Sequence, residues 1–271
     1  MKGLVLAYIG HTERGAMRKL QPIGFFDSGS GGISVLSAFR IVMPREDYAY
    51  FGDHANLPYG NKTSEEIKAL TISACDALAA RSIKALVVAC NTASTAALDD
   101  LAGRYPFPVL GIEPPVKEAV KVQGAGSILV MATPATLASR RFLALAAPHG
   151  KRLIPLPCPG LAEMIEAEET GAQRDYLTRL FEGLEKDSIN AIALGCTHYP
   201  LIKTEIAQAF GKPVPLLDGY AQAAEVLQAQ LDKAALLNDQ AQPGQVRLES
   251  SQGPEAQQRL LRFLRRQSGP I

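Results

Sequence analysis

The 271-residue chain has almost no net charge: 28 lysines and arginines against 27 aspartates and glutamates leave +1. That balance gives no field able to steer the whole molecule onto nucleic acid or an anionic membrane, so partners must be recognised at local sites. No apolar run approaches the ~20 residues of a membrane-spanning helix. The run Leu4 to Ile9, followed by Gly10-His11-Thr12-Glu13-Arg14, is too short and too weakly flanked for a secretion signal, and a cytoplasmic location is the expectation. Met17, followed by Arg18-Lys19, reads as an alternative start, and removal of residues 1–16 is expected to leave folding and activity intact. Cysteine is scarce: Cys75, Cys90, Cys158 and Cys196 are far apart, with no C-x-x-C doublet. This spacing excludes a close-set metal site and, in a reducing compartment, predicts thiols rather than disulfides. Phosphate signatures are missing too. Gly29-Ser30-Gly31-Gly32 has no Gly-Lys-Ser/Thr after it, Ser34 stands where the dinucleotide fingerprint has its third glycine, and Asp27 would repel phosphate.

What is present is one motif used twice. Val87-Val88-Ala89-Cys90-Asn91-Thr92-Ala93 and Ile192-Ala193-Leu194-Gly195-Cys196-Thr197-His198-Tyr199-Pro200 are apolar runs that end in a cysteine and continue into small polar residues and a helical segment. A buried strand delivers its last side chain to the carboxyl edge of a parallel sheet, where ligands of open α/β folds sit. A cysteine ending a strand is usually just a small hydrophobe. Two in matched settings point to a cleft with a thiol on each wall, able to exchange the proton of one carbon from opposite faces.

The rest of the chain supports that frame. Strands are predicted at 22–26, 48–51, 85–89, 109–112, 128–132, 191–194 and 214–217, alternating with apolar helical runs, the signature of parallel sheets with βα crossovers. Thr63-Ser64-Glu65-Glu66 reads as a capped helix start, with Ile67, Leu70, Ala74 and Leu78 at helical spacing and Cys75 beside them as a core thiol. The length exceeds the ~100 to 200 residues of one domain, and 47% hydrophobic residues can fill two cores. Pro114-Pro115 and Gly211-Lys212-Pro213 read as crossings between domains. The expected architecture is α/β: two similar open parallel-sheet domains with the active site in the cleft between them. The expected boundaries are an N-terminal extension 1–21, a first domain 22–113 plus 214–271, and a second domain 114–213. The ending Arg259-Leu260-Leu261-Arg262-Phe263-Leu264-Arg265-Arg266 is a basic amphipathic helix, read as packing its leucines on the first domain with solvated arginines.

Removing a proton alpha to a carboxylate needs a base whose own proton is managed by a neighbour, in a dry and preorganised site. A second thiol across the carbon lets the proton return on the other face, which inverts the centre. His198, two residues from Cys196, and Asp27, at another strand end, are placed to serve the two thiols.

These residues resemble the glutamate racemases, cofactor-independent members of the aspartate/glutamate racemase superfamily. The resemblance rests on Phe26-Asp27-Ser28-Gly29-Ser30-Gly31-Gly32, Gly52-Asp53 with Pro58-Tyr59-Gly60, Cys90-Asn91-Thr92-Ala93, and Gly195-Cys196-Thr197-His198-Tyr199-Pro200, and spans roughly residues 22–265. It implies Cys90 and Cys196 as the two acid/bases, Cys90 acting on the D-isomer and Cys196 on the L-isomer, assisted by Asp27, His198 and Glu163. It implies that Asp27, Ser28, Tyr59, Gly60, Asn91, Thr92, Thr197 and His198 hold the substrate glutamate. It further implies no cofactor and no metal, a homodimer, no nucleic-acid or membrane partner, and D-glutamate supply for bacterial peptidoglycan. Leu217-Asp218-Gly219-Tyr220, Phe142 and His54 depart from the common pattern. An aspartate racemase, a one-thiol decarboxylase or a non-catalytic amino-acid-binding protein would share the fold.

Overall fold

The computed structural model describes residues 18–124 and 126–267. Met17 as the expected start and residues 1–16, expected to be dispensable, lie outside the described residues. Arg18 and Lys19 are tied to the first domain: Arg18 Nη2 donates to the Pro106 carbonyl, and the buried Lys84 donates to the Lys19 carbonyl.

Two wholly parallel sheets carry the fold. The first has strand order β4-β3-β1-β2-β9, from β1 (Ile23–Asp27), β2 (Tyr48–Gly52), β3 (Ala85–Val88), β4 (Val109–Gly111) and β9 (Val246–Ser250). The second has order β6-β5-β7-β8, from β5 (Ser127–Ala132), β6 (Leu153–Pro157), β7 (Ile189–Gly195) and β8 (Leu216–Leu217). The central strands β1, β3, β5 and β7 are buried almost throughout, as continuous apolar runs must be when helices cover both faces of a sheet. In the first domain, α1 (Ile33–Val42), α10 (Tyr220–Lys233) and α11 (Pro254–Gln267) pack on one face, and α2 (Ser64–Ala79) and α3 (Asn91–Leu101) on the other. Helix α2 opens with the Thr63/Glu66 capping box, and Cys75 lies in its buried face. In the second domain, α7 (Leu161–Glu166), α8 (Thr170–Leu180) and α9 (Lys203–Phe210) cover one face of the sheet, with α4 (Val116–Ala119), α5 (Pro134–Ala138) and α6 (Arg140–Ala146) completing the element order between β4 and β6. Among the described residues no helix is long and apolar enough to cross a membrane.

The crossing at Pro114-Pro115 falls between β4 and β5, but the return does not fall near 214. Ile192 donates to the Pro215 carbonyl and β8 pairs with β7, so the chain leaves the second sheet only after Leu217. Pro213 and Pro215 lead into an edge strand, where a missing N–H is tolerated, rather than through a linker. The return passes at Gly219, which has φ 72° and lies so close to the outward crossing that an added Cβ would meet Pro115 Cβ at 3.0 Å.

Each sheet reverses direction beside its first strand: the chain goes from β1 to β2 on one side and then to β3 on the other, and likewise from β5 to β6 and then to β7. Ligands of open α/β sheets bind at such switch points, beyond the carboxyl ends of the strands. Asp27 ends β1 and Cys90 follows β3 at the first switch, and Thr133 and Cys196 follow β5 and β7 at the second.

Candidate active site

Both thiols open into one cavity of about 320 Å³ between the domains. Its lining includes Ser28, Tyr59, Gly60, Asn91, Thr92, Thr197 and His198, along with Thr133, Glu163, Glu166 and Arg259. Of the predicted site residues only Asp27 is absent from that lining; it is fully buried just behind it.

On the first wall, Cys90 caps α3, and its Sγ accepts a hydrogen bond from the Ala93 amide at 3.5 Å. Ser28 Oγ lies 3.4 Å from the same sulfur. Helix N-termini favour thiolates. Here burial and the neighbouring Asp27 carboxylate outweigh that help and push the Cys90 thiol up to about 12. Asp27 does not cap α1, whose N-cap has no side-chain bond. Its Oδ1 accepts from the Gly29 amide at 2.9 Å and its Oδ2 from Thr197 Oγ1 of the other domain at 3.1 Å. Burial pushes Asp27 up, against the nearby His198 and the Gly29 and Gly32 amides.

On the second wall, Cys196 Sγ lies 3.8 Å from His198 Nδ1, and His198 Nε2 lies 2.8 Å from Glu166 Oε2. Burial works against the imidazolium, yet Cys196 and Glu166 together hold the His198 pKa well above its ordinary value. Burial likewise opposes the charge of Glu166, but hydrogen bonds from His198, His54 and Ser30 hold it well below the usual carboxylate range. The arrangement is a thiol, imidazole and carboxylate in series, in which the carboxylate orients the ring and stabilises its charged form.

The glutamate of that series is Glu166, not Glu163. Glu163 lines the cavity but is only half-buried, and its hydrogen bond is a 3.5 Å contact from Asn61 Nδ2. Both sit on α7, one turn apart. Glu163 falls on the side of the helix opposite the buried Leu161 and Ile165, whereas Glu166 lies nearer the edge of that apolar stripe, which is the signal that separates them. Sequence reasoning also missed Ser30 and Arg259, which bond Glu166, and treated His54 only as a departure from pattern. His54 Nε2 lies 3.2 Å from Glu166 Oε1 and 3.0 Å from Ser30 Oγ.

The remaining polar groups suit a small zwitterion. Asn91 Oδ1 is buried without a partner among the described residues, which leaves an acceptor at the cavity wall. Thr92 Oγ1 reaches Thr133 Oγ1 of the second domain at 3.0 Å. The Tyr59 hydroxyl is committed to Asp53 Oδ2 at 2.8 Å, so the Tyr59-Gly60 turn offers the cavity its backbone. The glycine loop serves close approach between domains. A Cβ at Gly31 would meet His198 Nδ1 and Thr197 Oγ1 at 2.5 Å, and only glycine leaves that space.

Known proteins resemble this chain along most of its length. Residues 37–227 match the family described as Asp/Glu/Hydantoin racemase. A curated glutamate racemase of Clostridium novyi is 44% identical over 235 residues, covering 85% of this chain and 91% of that protein. The structure of glutamate racemase from Thermus thermophilus in complex with beta-chloro-D-alanine superposes with a TM-score of 0.77 at 34% identity, covering 91% and 93% of the two chains. That of the Francisella tularensis enzyme in complex with D-glutamate gives 0.78 at 30%, covering 91% and 94%. A family match over most of the chain, relatives of this identity along nearly its whole length, and paired thiols at matching switch points make one conclusion: the chain belongs to the Asp/Glu/Hydantoin racemase family.

Proposed function

We propose that this protein is a glutamate racemase that interconverts the L- and D-isomers with two thiols and no cofactor. The observation that carries the reading is that Cys90 and Cys196, delivered by different domains, line one cavity small enough for a single amino acid. One thiolate takes the α proton, and the electron pair of the broken C–H bond stays on the α carbon. The opposite thiol then gives its own proton to the other face. Cys196 acts on the L-isomer, with His198 and Glu166 managing its proton; Cys90 acts on the D-isomer beside Asp27 and Ser28. The Tyr59-Gly60 backbone, Asn91, Thr92 and Thr197 hold the carboxylates and the amino group. The Francisella relative's complex with D-glutamate supports the choice of substrate. D-Glutamate supply for peptidoglycan, a cytoplasmic location and a homodimeric state complete the reading.

The test is incubation with L-glutamate in deuterated water, with L-aspartate in parallel, following optical rotation and the α proton signal together. Loss of rotation with α exchange on glutamate alone is the expected result. Exchange on aspartate instead makes the protein an aspartate racemase, and binding without exchange of either makes it a non-catalytic receptor.

A further inference from the structure

Arg259, Arg262 and Arg266 recur at spacings of three and four residues, which place them along one face of α11. That helix belongs to the first domain, where Leu260 and Phe263 are buried in the core around α1. Its arginines nevertheless reach the second domain. Arg262 Nη2 donates to Glu168 Oε1 at 3.0 Å, Arg266 Nη2 to Glu168 Oε2 at 2.6 Å, and Arg259 Nη1 to Glu166 Oε1 at 3.1 Å. The Arg262 and Arg266 side chains are 51% and 58% exposed, so their pairs are solvent-screened contacts of small worth. Arg259 differs: its partner is 8% exposed, and it lines the same cavity as the thiols.

Both oxygens of Glu166 are occupied. Oε2 lies 2.8 Å from His198 Nε2 and accepts from the Ser30 amide at 3.0 Å; Oε1 accepts from Ser30 Oγ at 2.7 Å and from Arg259, with His54 Nε2 beside it. Ser30, His54 and Arg259 all come from the first domain, so a second-domain carboxylate is fixed by its neighbour. The charged donor whose identity is certain at any pH is Arg259, since a guanidinium does not lose its proton.

We propose that Arg259 is a positioning residue for racemisation: carried by the C-terminal helix, it holds Glu166 in the orientation that keeps His198 on Cys196, and so couples the seating of α11 to proton handling at that one thiol. The proposal rests on the two-thiol reading above. Ser30 and His54 remain when Arg259 is removed, so the loss is smaller than the roughly hundredfold that a displaced catalytic group costs.

The experiment compares steady-state rates and primary deuterium isotope effects for D- and L-[2-²H]glutamate in Arg259→Met, Arg259→Lys and the double variant Arg262→Met/Arg266→Met. In Arg259→Met, kcat falls about tenfold with KM within about twofold, the split left by a lost transition-state interaction. Only the Cys196 step is slowed, so the isotope effect on kcat/KM grows for the isomer that Cys196 deprotonates and shrinks for the other. Arg259→Lys recovers part of the rate. The double variant, which loosens the same helix at Glu168, melts a few degrees lower but keeps the parent's isotope effects. A raised KM with unchanged kcat would make Arg259 a substrate ligand and overturn the proposal. Isotope effects that move equally for both isomers, or move as much in the double variant, would reduce it to helix docking and overturn it as well. A parent enzyme that exchanges no α proton would remove the two-thiol reading itself, whereas an active parent with an indifferent Arg259→Met removes the Arg259 role alone.

Discussion

Cys90 and Cys196 follow equivalent strands, each beside the switch point of its own sheet, yet their surroundings differ in kind. Cys90 sits at the start of an α-helix with a hydroxyl and a backbone amide on its sulfur and a buried carboxylate behind. Cys196 has an imidazole on its sulfur, backed by a carboxylate that the other domain grips. On the first wall burial and Asp27 push the thiol up; on the second the thiol faces an imidazole whose charged form Cys196 and Glu166 support against burial. On the proposed two-thiol reading, a symmetric reaction is served by an asymmetric site. That reading gives each thiol its own neighbours for the proton it exchanges: Ser28 and Asp27 on one wall, His198 and Glu166 on the other.

The largest effects come from removing either thiol. Cys90→Ala and Cys196→Ala each lower racemisation by about 10³-fold or more, within the range lost with a general acid/base. Each variant still exchanges the α hydrogen of the isomer that faces its remaining thiol, without inversion. Proton NMR in deuterated water with polarimetry reads this directly, and equal exchange of both isomers in both variants would break the comparison.

A smaller effect separates the two glutamates. Glu166→Gln lowers kcat by about 10²-fold, because His198 loses the anion that orients and charges it, while Glu163→Gln stays within about twofold of the parent. Initial rates measured on the two variants side by side decide it, and a larger loss at Glu163 would return that residue to the catalytic series.

The gentlest probe is chemical labelling of the free protein. A thiol pushed up to about 12 is protonated at neutral pH. Its thiolate fraction, and with it the rate of iodoacetamide alkylation at Cys90, rises about tenfold per unit between roughly pH 7 and 9 without levelling. Peptide mass spectrometry follows this, and a plateau within that window would mean that the helix start and Ser28 outweigh burial and Asp27.

Much of the fold was legible because its central strands are buried on both faces. Ala85–Val88 and Ile189–Gly195 are nearly unbroken apolar runs, and nothing but a covered parallel strand suits their length and flanks. The strands that escaped notice are edges. Leu153–Pro157 carries two prolines, which an edge permits and which read as breaks, and Val246–Ser250 is a five-residue alternation with two charged residues, too short and polar to stand out beside the apolar central runs. The return to the first domain was misplaced for the same reason, since Pro213 and Pro215 border an edge strand. At the site, Cys90, Cys196, His198 and Asp27 were legible from repetition and from their place at strand ends. Glu166 was not, because Glu163, Glu166, Glu168 and Glu169 read as one continuing helix, whereas the helix ends at Glu166 with Leu161 and Ile165 fixing its buried side.

The sequence by itself determined the two parallel sheets, the paired thiols at their carboxyl edges and the glycine loop that must run close to something. Those are consequences of local pattern, since apolar runs, glycines and strand ends act within a few residues. Only the tertiary structure decided what the loop approaches, which glutamate backs His198, and that the C-terminal helix reaches across the cleft. Ser30 and Glu166 lie 136 residues apart and Arg259 and Glu166 lie 93 apart. No local periodicity encodes such contacts, which exist only once the two domains have packed and a carboxylate left in their interface has taken the donors that burial requires.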